Sequence, residues 1–249
     1  MRYFLELAYH GGEFAGFQVQ LNALTVQEEV EKALEVLCKI PIPLTGSSRT
    51  DAGVHAKQNF FHFDTELELE PKQLYNLNAI LPKSIAALSL RKMPDDAHSR
   101  FGASGRLYKY YLCAAKSPFY NDRAWFYPYP LNLDVLNEVA AMLLGKHDFT
   151  SFSKRNTKVK TMDCTLSLSN WAYEGNLLVY TVQGNRFLRG MVRGLVATML
   201  RAGRGVLAVN GFAQILAARD GSKADFSAPA HGLFLEQVLF PEGYFGNSE

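Results

Sequence analysis

An arginine and an aspartate stand two positions apart in the run Ser47-Ser48-Arg49-Thr50-Asp51-Ala52-Gly53-Val54-His55-Ala56. The run follows a short apolar stretch and precedes the strand-like Asn59-Phe60-Phe61-His62-Phe63. Small residues surround the pair, and Gly53 supplies backbone freedom. A carboxylate in a tight loop at a strand edge is well placed to meet a ligand. With a reference pKa of about 3.9 it is ionised near neutral pH, which suits nucleophilic attack better than acid catalysis. Taken alone, Arg49 and Asp51 also fit a solvated ion pair in a turn, where aspartate is favoured and such pairs contribute little.

Cations gather elsewhere in the chain. The segments Lys154 to Lys160 and Arg186 to Arg204 are strongly basic. The spacing predicts a helix over 187–200. With Arg186 at zero on a helical wheel, Arg189, Arg193 and Arg201 fall within about sixty degrees of it at 3.6 residues per turn. Such a stripe either faces solvent and neighbouring carboxylates or grips phosphates, for which arginine geometry is suited. Lys154, Lys158, Arg186 and Arg189 are the candidate phosphate contacts. Arg49, Arg100 and Arg193 lie on three segments that could converge. Tyr108 and Tyr110 share one face of a strand, since side chains alternate. They are either packing or, beside a basic surface, a stacking platform for a base. No P-loop, G-x-G-x-x-G or G-x-S-x-G is present, and no second acid stands at a spacing that marks a glycosidase pair.

These residues need a frame. Residues 2–9 alternate as a strand, broken by Gly11-Gly12. Thr25-Val26-Gln27-Glu28 is a capping box, and Val26, Val30, Ala33, Leu34 and Leu37 recur at helical spacing, so a helix covers 26–39. A strand at 58–64 and a helix at 71–80 follow. Beyond residue 105 come a strand from Arg106 to Leu112, a helix at 133–144 ended by Gly145, and a hairpin over 164–183 turning at Glu174-Gly175-Asn176. The arginine-bearing helix and a last strand at 233–240 complete the order. Strand, helix and strand-rich segment thus occur twice. The expected class is α+β: two similar α/β halves, 1–105 and 106–249, with mixed, mostly antiparallel sheet around a central basic cleft.

Composition sets bounds. At 249 residues and 48% hydrophobic, the chain can bury a substantial core. It holds no run of eighteen apolar residues, and its opening Met1-Arg2-Tyr3-Phe4-Leu5-Glu6-Leu7 reads as a strand rather than a signal peptide. Cys38, Cys113 and Cys164 are odd in number and far apart, which points to a reducing, cytoplasmic setting and away from a disulfide frame or zinc site. The net charge of +2 announces no nucleic-acid binder, but acids crowd the first third and bases the later segments, so one basic face is available.

Together these motifs resemble one family, the bacterial tRNA pseudouridine synthase A family. The resemblance runs through most of the chain. Tyr9-His10-Gly11-Gly12-Glu13-Phe14-Ala15-Gly16-Phe17-Gln18-Val19-Gln20 is similar to the family's opening motif, and Arg49-Thr50-Asp51-Ala52-Gly53-Val54-His55-Ala56 to its catalytic loop. Then come, in order, Asn78-Ala79-Ile80-Leu81-Pro82, His98-Ser99-Arg100-Phe101, Arg106-x-Tyr108-x-Tyr110, Asp148-Phe149-Thr150-Ser151-Phe152, Phe187-Leu188-Arg189-Gly190-Met191-Val192-Arg193 and Ala228-Pro229-Ala230-His231-Gly232-Leu233-Phe234-Leu235. Ser48 stands where the family has glycine, Phe17 where it has tryptophan, His10 and Gly12 replace two residues of the opening motif, and Ser99 stands where alanine is common. None removes a reacting group, so these departures bear on substrate position and tRNA choice.

The resemblance implies that Asp51 is the catalytic aspartate and that Tyr108 stacks on the target pyrimidine. It implies that Arg49 helps open the target site, that Arg100 and Arg193 lie near it with Arg193 partnering the carboxylate, and that Leu233 packs on the base. It further implies a homodimer without metal or organic cofactor, acting on uridines 38, 39 and 40 of the tRNA anticodon stem-loop. Three roles remain open for the carboxylate: attack on the sugar, attack on the base, or removal of a sugar proton. The competing readings are a tRNA-binding protein without catalysis, a related enzyme acting on another uridine, and a sugar hydrolase using Asp51.

Overall fold

The computed structural model describes residues 1–70, 72–154 and 159–246. In chain order the elements are β1 (Arg2–Tyr9), α1 (Val26–Cys38), β2 (Thr45–Gly46), β3 (His55–Asp64), α2 (Lys72–Ile80), β4 (Ile85–Met93), β5 (Gly105–Cys113), β6 (Trp125–Phe126), α3 (Leu133–Ala141), β7 (Gly145–Asp148), β8 (Asp163–Glu174), β9 (Leu177–Gly184), α4 (Met191–Gly203), α5 (Val209–Ala218) and β10 (Leu233–Leu239). The class is α+β with mixed, mainly antiparallel sheet, as expected. Contacts group the chain into two units, one of Met1–Gly105 with the segment from Leu235 onward, the other of Arg106–Phe234.

In the first unit the strand order is β4-β1-β3-β10, with β2 also on β3. Strand β1 pairs antiparallel with β3, from Arg2 opposite Asp64 to Tyr9 opposite Ala56. Its Tyr3, Phe4, Leu5, Leu7 and Tyr9 are all buried, so both of its faces pack against core. Helix α1 begins as the capping box requires: Glu28 N donates to Thr25 Oγ1 at 3.3 Å. It ends where Lys39 turns left-handed, at φ 62°. Two polar side chains of this helix then grip the chain that leads into β2. Gln27 Nε2 donates to Leu44 O at 3.0 Å, and Leu44 N donates to Glu31 Oε1 at 3.0 Å. The amphipathic helix therefore buries Val26, Val30, Ala33 and Leu34 and also sets the approach to the Arg49–Asp51 loop.

His62 of β3 is buried beside His98 and Ser99. Burial, with help from His98 and Arg2, pulls its pKa from 6.5 down to about 4. Between those values the denatured chain binds a proton that the native chain refuses, so stability is full above about pH 6.5 and falls as pH drops toward 4. Thermal melts across this window should show that loss, and His62→Gln should flatten it. Identical slopes for the two proteins would exclude this ring as the cause.

In the second unit the order is β5-β9-β8-β7, with β6 parallel to β5. The β8–β9 hairpin turns at the expected place, with Gly175 at φ 59°. Helix α3 starts at Asn132, whose Oδ1 accepts from Val135 N at 3.1 Å, and packs on α4 through Gly203, where any side chain would meet Leu136.

The expected helix over 187–200 is corrected. It runs instead from Met191 to Gly203, because Gly190 is left-handed at φ 72° and holds residues 187–190 out of the helix. Arg186 and Arg189 thus lie in the preceding loop, and the four-arginine stripe does not form. No element is expected between the arginine-bearing helix and the last strand. Helix α5 follows, burying Phe212 and Ile215, with the Phe212 ring tilted against Phe152 at 5.8 Å.

Candidate active site

Asp51 is half-buried and Arg49 exposed, while Ser48 and Thr50, on either side of Arg49, are buried. That alternation is built by long-range hydrogen bonds. Thr50 Oγ1 meets the Tyr9 hydroxyl at 2.9 Å, and Phe17 N donates to Thr50 O at 3.1 Å. Asn59, wholly buried on β3, donates from Nδ2 to Ser48 O at 2.8 Å and to the Tyr9 hydroxyl at 3.1 Å. Val54 N closes a turn onto Asp51 O at 3.1 Å, with Gly53 at φ 78°.

The opening motif wraps this loop and explains its glycines. A Cβ on Gly11 would come within 2.0 Å of Val54 O, and Gly11 N donates to His55 Nδ1 at 3.1 Å. Gly16, at φ 118°, lies against the backbone of Thr50 and Ala52. Phe17 stacks on Phe61 at 4.6 Å and fills the space a side chain on Gly46 would need. The carboxylate of Asp51 therefore sits on a backbone fixed from several directions, which is the preorganisation a reacting group requires.

Asn59→Ala should expose how far this fixing matters. It removes both anchors at once and strands buried acceptors, at about 1–3 kcal/mol. The melting temperature should fall by several degrees and turnover should fall further than stability explains. Unchanged turnover in a folded variant would show that the loop holds its shape without Asn59.

Arg100 is exposed on a turn of the same unit, next to buried Ser99. Its backbone N donates to His98 Nδ1 at 3.1 Å. Arg49, Asp51 and Arg100 all belong to the first unit.

The second unit assembles a different group. Tyr108 is 8% exposed on β5 and meets Phe187 edge-on at 5.0 Å. Tyr110, on the same strand face, donates its hydroxyl to Pro229 O at 2.8 Å, and its ring lies where any side chain on Gly232 would be. Tyr110 thereby fixes the turn that delivers Leu233, itself 7% exposed at the start of β10. Burial pushes the Tyr110 phenol up, opposed by the nearby Arg193 charge, so it stays a neutral donor. Arg193 is half-buried in the first turn of α4 and anchored by Nε to Ala228 O at 2.6 Å. This leaves the outer edge of its guanidinium to engage other groups. Tyr108, Arg193 and Leu233 are therefore held by residues of a single unit.

Lys154 and Arg189 come together: Lys154 N donates to Arg189 O at 3.0 Å, and the lysine stem lies beside Gly190, where a Cβ would approach it at 3.0 Å. Arg186 is half-buried and acts on Cys164, whose thiol burial raises to about 11. Lys158 lies outside the described residues. Sequence reasoning missed Asn59, Tyr9, Thr50 and Phe187 as supports, while of its two readings of Tyr110 the packing one fits the observed bond to Pro229 O. Asn59 carried one usable signal, an amide inside an aromatic strand, where that residue type is disfavoured.

Among the described residues no cluster of three or more His, Cys, Asp or Glu side chains is placed to hold a metal ion, and no helix is long and apolar enough to cross a membrane.

Comparison with known proteins follows the same lines. A family model described as tRNA pseudouridine synthase matches residues 139–241. A protein of Parabacteroides distasonis called tRNA pseudouridine synthase A is 43% identical over 246 residues, 98% of either chain. Proteins of the same name from Bacteroides thetaiotaomicron and Staphylococcus aureus are 42% and 38% identical; the alignments cover 98% and 99% of this chain, and 92% and 96% of theirs.

Proposed function

This chain belongs to the tRNA pseudouridine synthase A family, and on that premise we propose that it isomerises uridine to pseudouridine at positions 38, 39 and 40 of the tRNA anticodon stem-loop. The observation that supports this best is the Asp51 side chain on a loop anchored by hydrogen bonds at Ser48 and Thr50 and packed closely against Gly11 and Gly16. A carboxylate on so fixed a loop suits a reaction in which the same base leaves and returns.

The uridine is drawn out of the stem at an unstacking cost of a few kcal/mol. Arg49, Arg100, Arg186, Arg189 and Lys154 offset that cost through phosphate contacts. Asp51 starts cleavage of the bond from C1′ to N1. The uracil turns, C5 bonds to C1′ in place of N1, the C5 proton departs and N1 takes up a proton, so the isomer has the composition of its substrate. Tyr108 stacks on the loose base and Leu233 packs against it, keeping it from water. The reaction needs no metal or organic cofactor. The working form is a homodimer in the cytoplasm.

Mapping pseudouridines in unmodified tRNA transcripts incubated with the purified protein tests the reading. New pseudouridine at 38 to 40 is the expected result. Tight tRNA binding with no new pseudouridine would leave a binding protein, and modification confined to another uridine would move the target.

A further inference from the structure

Phe101 follows Arg100, and its ring is 78% exposed. The turn that presents it is braced throughout. His98 Nδ1 accepts from Phe101 N at 3.3 Å as well as from Arg100 N, and Gly102 N closes the turn onto His98 O at 2.8 Å. On one side the Tyr244 hydroxyl accepts from His98 N at 3.1 Å and fills the space beside Gly102 that a side chain would need. On the other, buried Ser99 bonds His62 Nδ1 at 2.8 Å and donates to Thr45 O at 3.2 Å. Arg2, forked onto Asp64, also donates to Ala97 O at 2.8 Å.

An apolar ring this exposed gains little from burial, yet the fold immobilises the backbone beneath it. The Arg100 guanidinium carbon stands 5.8 Å from the ring centroid and the His98 ring 4.3 Å from it. A fixed aromatic face beside a cation matches a nucleobase with its phosphate: bases of any sequence stack on aromatic rings, and arginine takes the backbone. We propose that Phe101, with Arg100 beside it, is a stacking platform for an RNA base other than the uridine that reacts. This rests on the proposed action on tRNA and adds a second point of grip, which sets the register of the stem-loop.

Phe101→Ala, Phe101→Leu and Phe101→Trp test it, since substitution at so exposed a ring opens no cavity. With an unmodified tRNA transcript as probe, Ala and Leu should each raise Kd about tenfold, within the range that loss of one stacked base produces. Trp should restore Kd to within about twofold of the parent. KM should rise more than kcat falls. Ala or Leu within twofold of the parent, or Leu matching Trp, overturns the platform. So does a change in assembly state with Ala, which makes Phe101 a contact between copies. Parent protein that binds the transcript without forming pseudouridine sinks the catalytic reading while Kd still scores the platform. Parent protein that forms pseudouridine, with an Ala variant of unaltered Kd, sinks the platform alone.

Discussion

Asp51→Asn is expected to stop tritium release from tRNA labelled at uridine C5, by roughly a thousandfold or more, the scale on which positioned acid–base and covalent groups act. Tritium is the right readout because isomerisation replaces the C5–H bond with a C5–C1′ bond. Asparagine keeps the size and hydrogen-bonding reach of the side chain and removes only its charge. The loop is fixed through Thr50, Ser48 and the backbone of Asp51 rather than through the carboxylate alone, so the melting temperature should stay within a few degrees. Binding of tRNA should change little. Activity retained within tenfold would remove Asp51 from the chemistry and, with it, the reading of the whole loop.

The second large effect is expected at Tyr108. Two variants separate its ring from its hydroxyl. Tyr108→Phe keeps the edge-on contact with Phe187 and the face offered to the base. Once C5 bonds to the sugar it carries a proton that must leave, and the hydroxyl is suited to help remove it. Tyr108→Phe should therefore bind tRNA as the parent does but turn over about a hundredfold more slowly, at the low end of general acid–base effects. Tyr108→Leu fills most of the same volume without a π-face. It should lose the hydroxyl's contribution and further affinity, each stacked base contributing about 1–3 kcal/mol. A Tyr108→Phe variant as fast as the parent would reduce the residue to a stacking surface, and a Tyr108→Leu variant as fast would remove it from the site.

Local chemistry was legible where one signal dominated a short window. The capping box and apolar spacing placed α1 to within a residue of its observed span, and alternation placed β1 and β5. The α4 boundary was missed because a helical wheel ignores backbone conformation. Gly190 reads on the wheel as one more position, yet its left-handed φ stops the helix there and separates Arg189 from Arg193. Helix α5 was missed because Gly211 and the flanking glycines weakened its pattern, and its burial comes from Phe152, which lies 60 positions earlier in the chain.

The order of motifs along the chain was enough to name the family and to single out Asp51 and Tyr108 for the roles proposed above, because each motif lies within a few adjacent residues. How the carboxylate is held is another matter. Asn59 reaches Tyr9 across 50 positions and Ser48 across 11, and Thr50 reaches Tyr9 across 41. The segment after Leu235 joins the first unit rather than the one it follows. Hydrogen bonds and strand pairings between such distant residues impose no period on the sequence, so folding alone brings the partners together. The carboxylate is written in one residue; its rigidity belongs to the packed core.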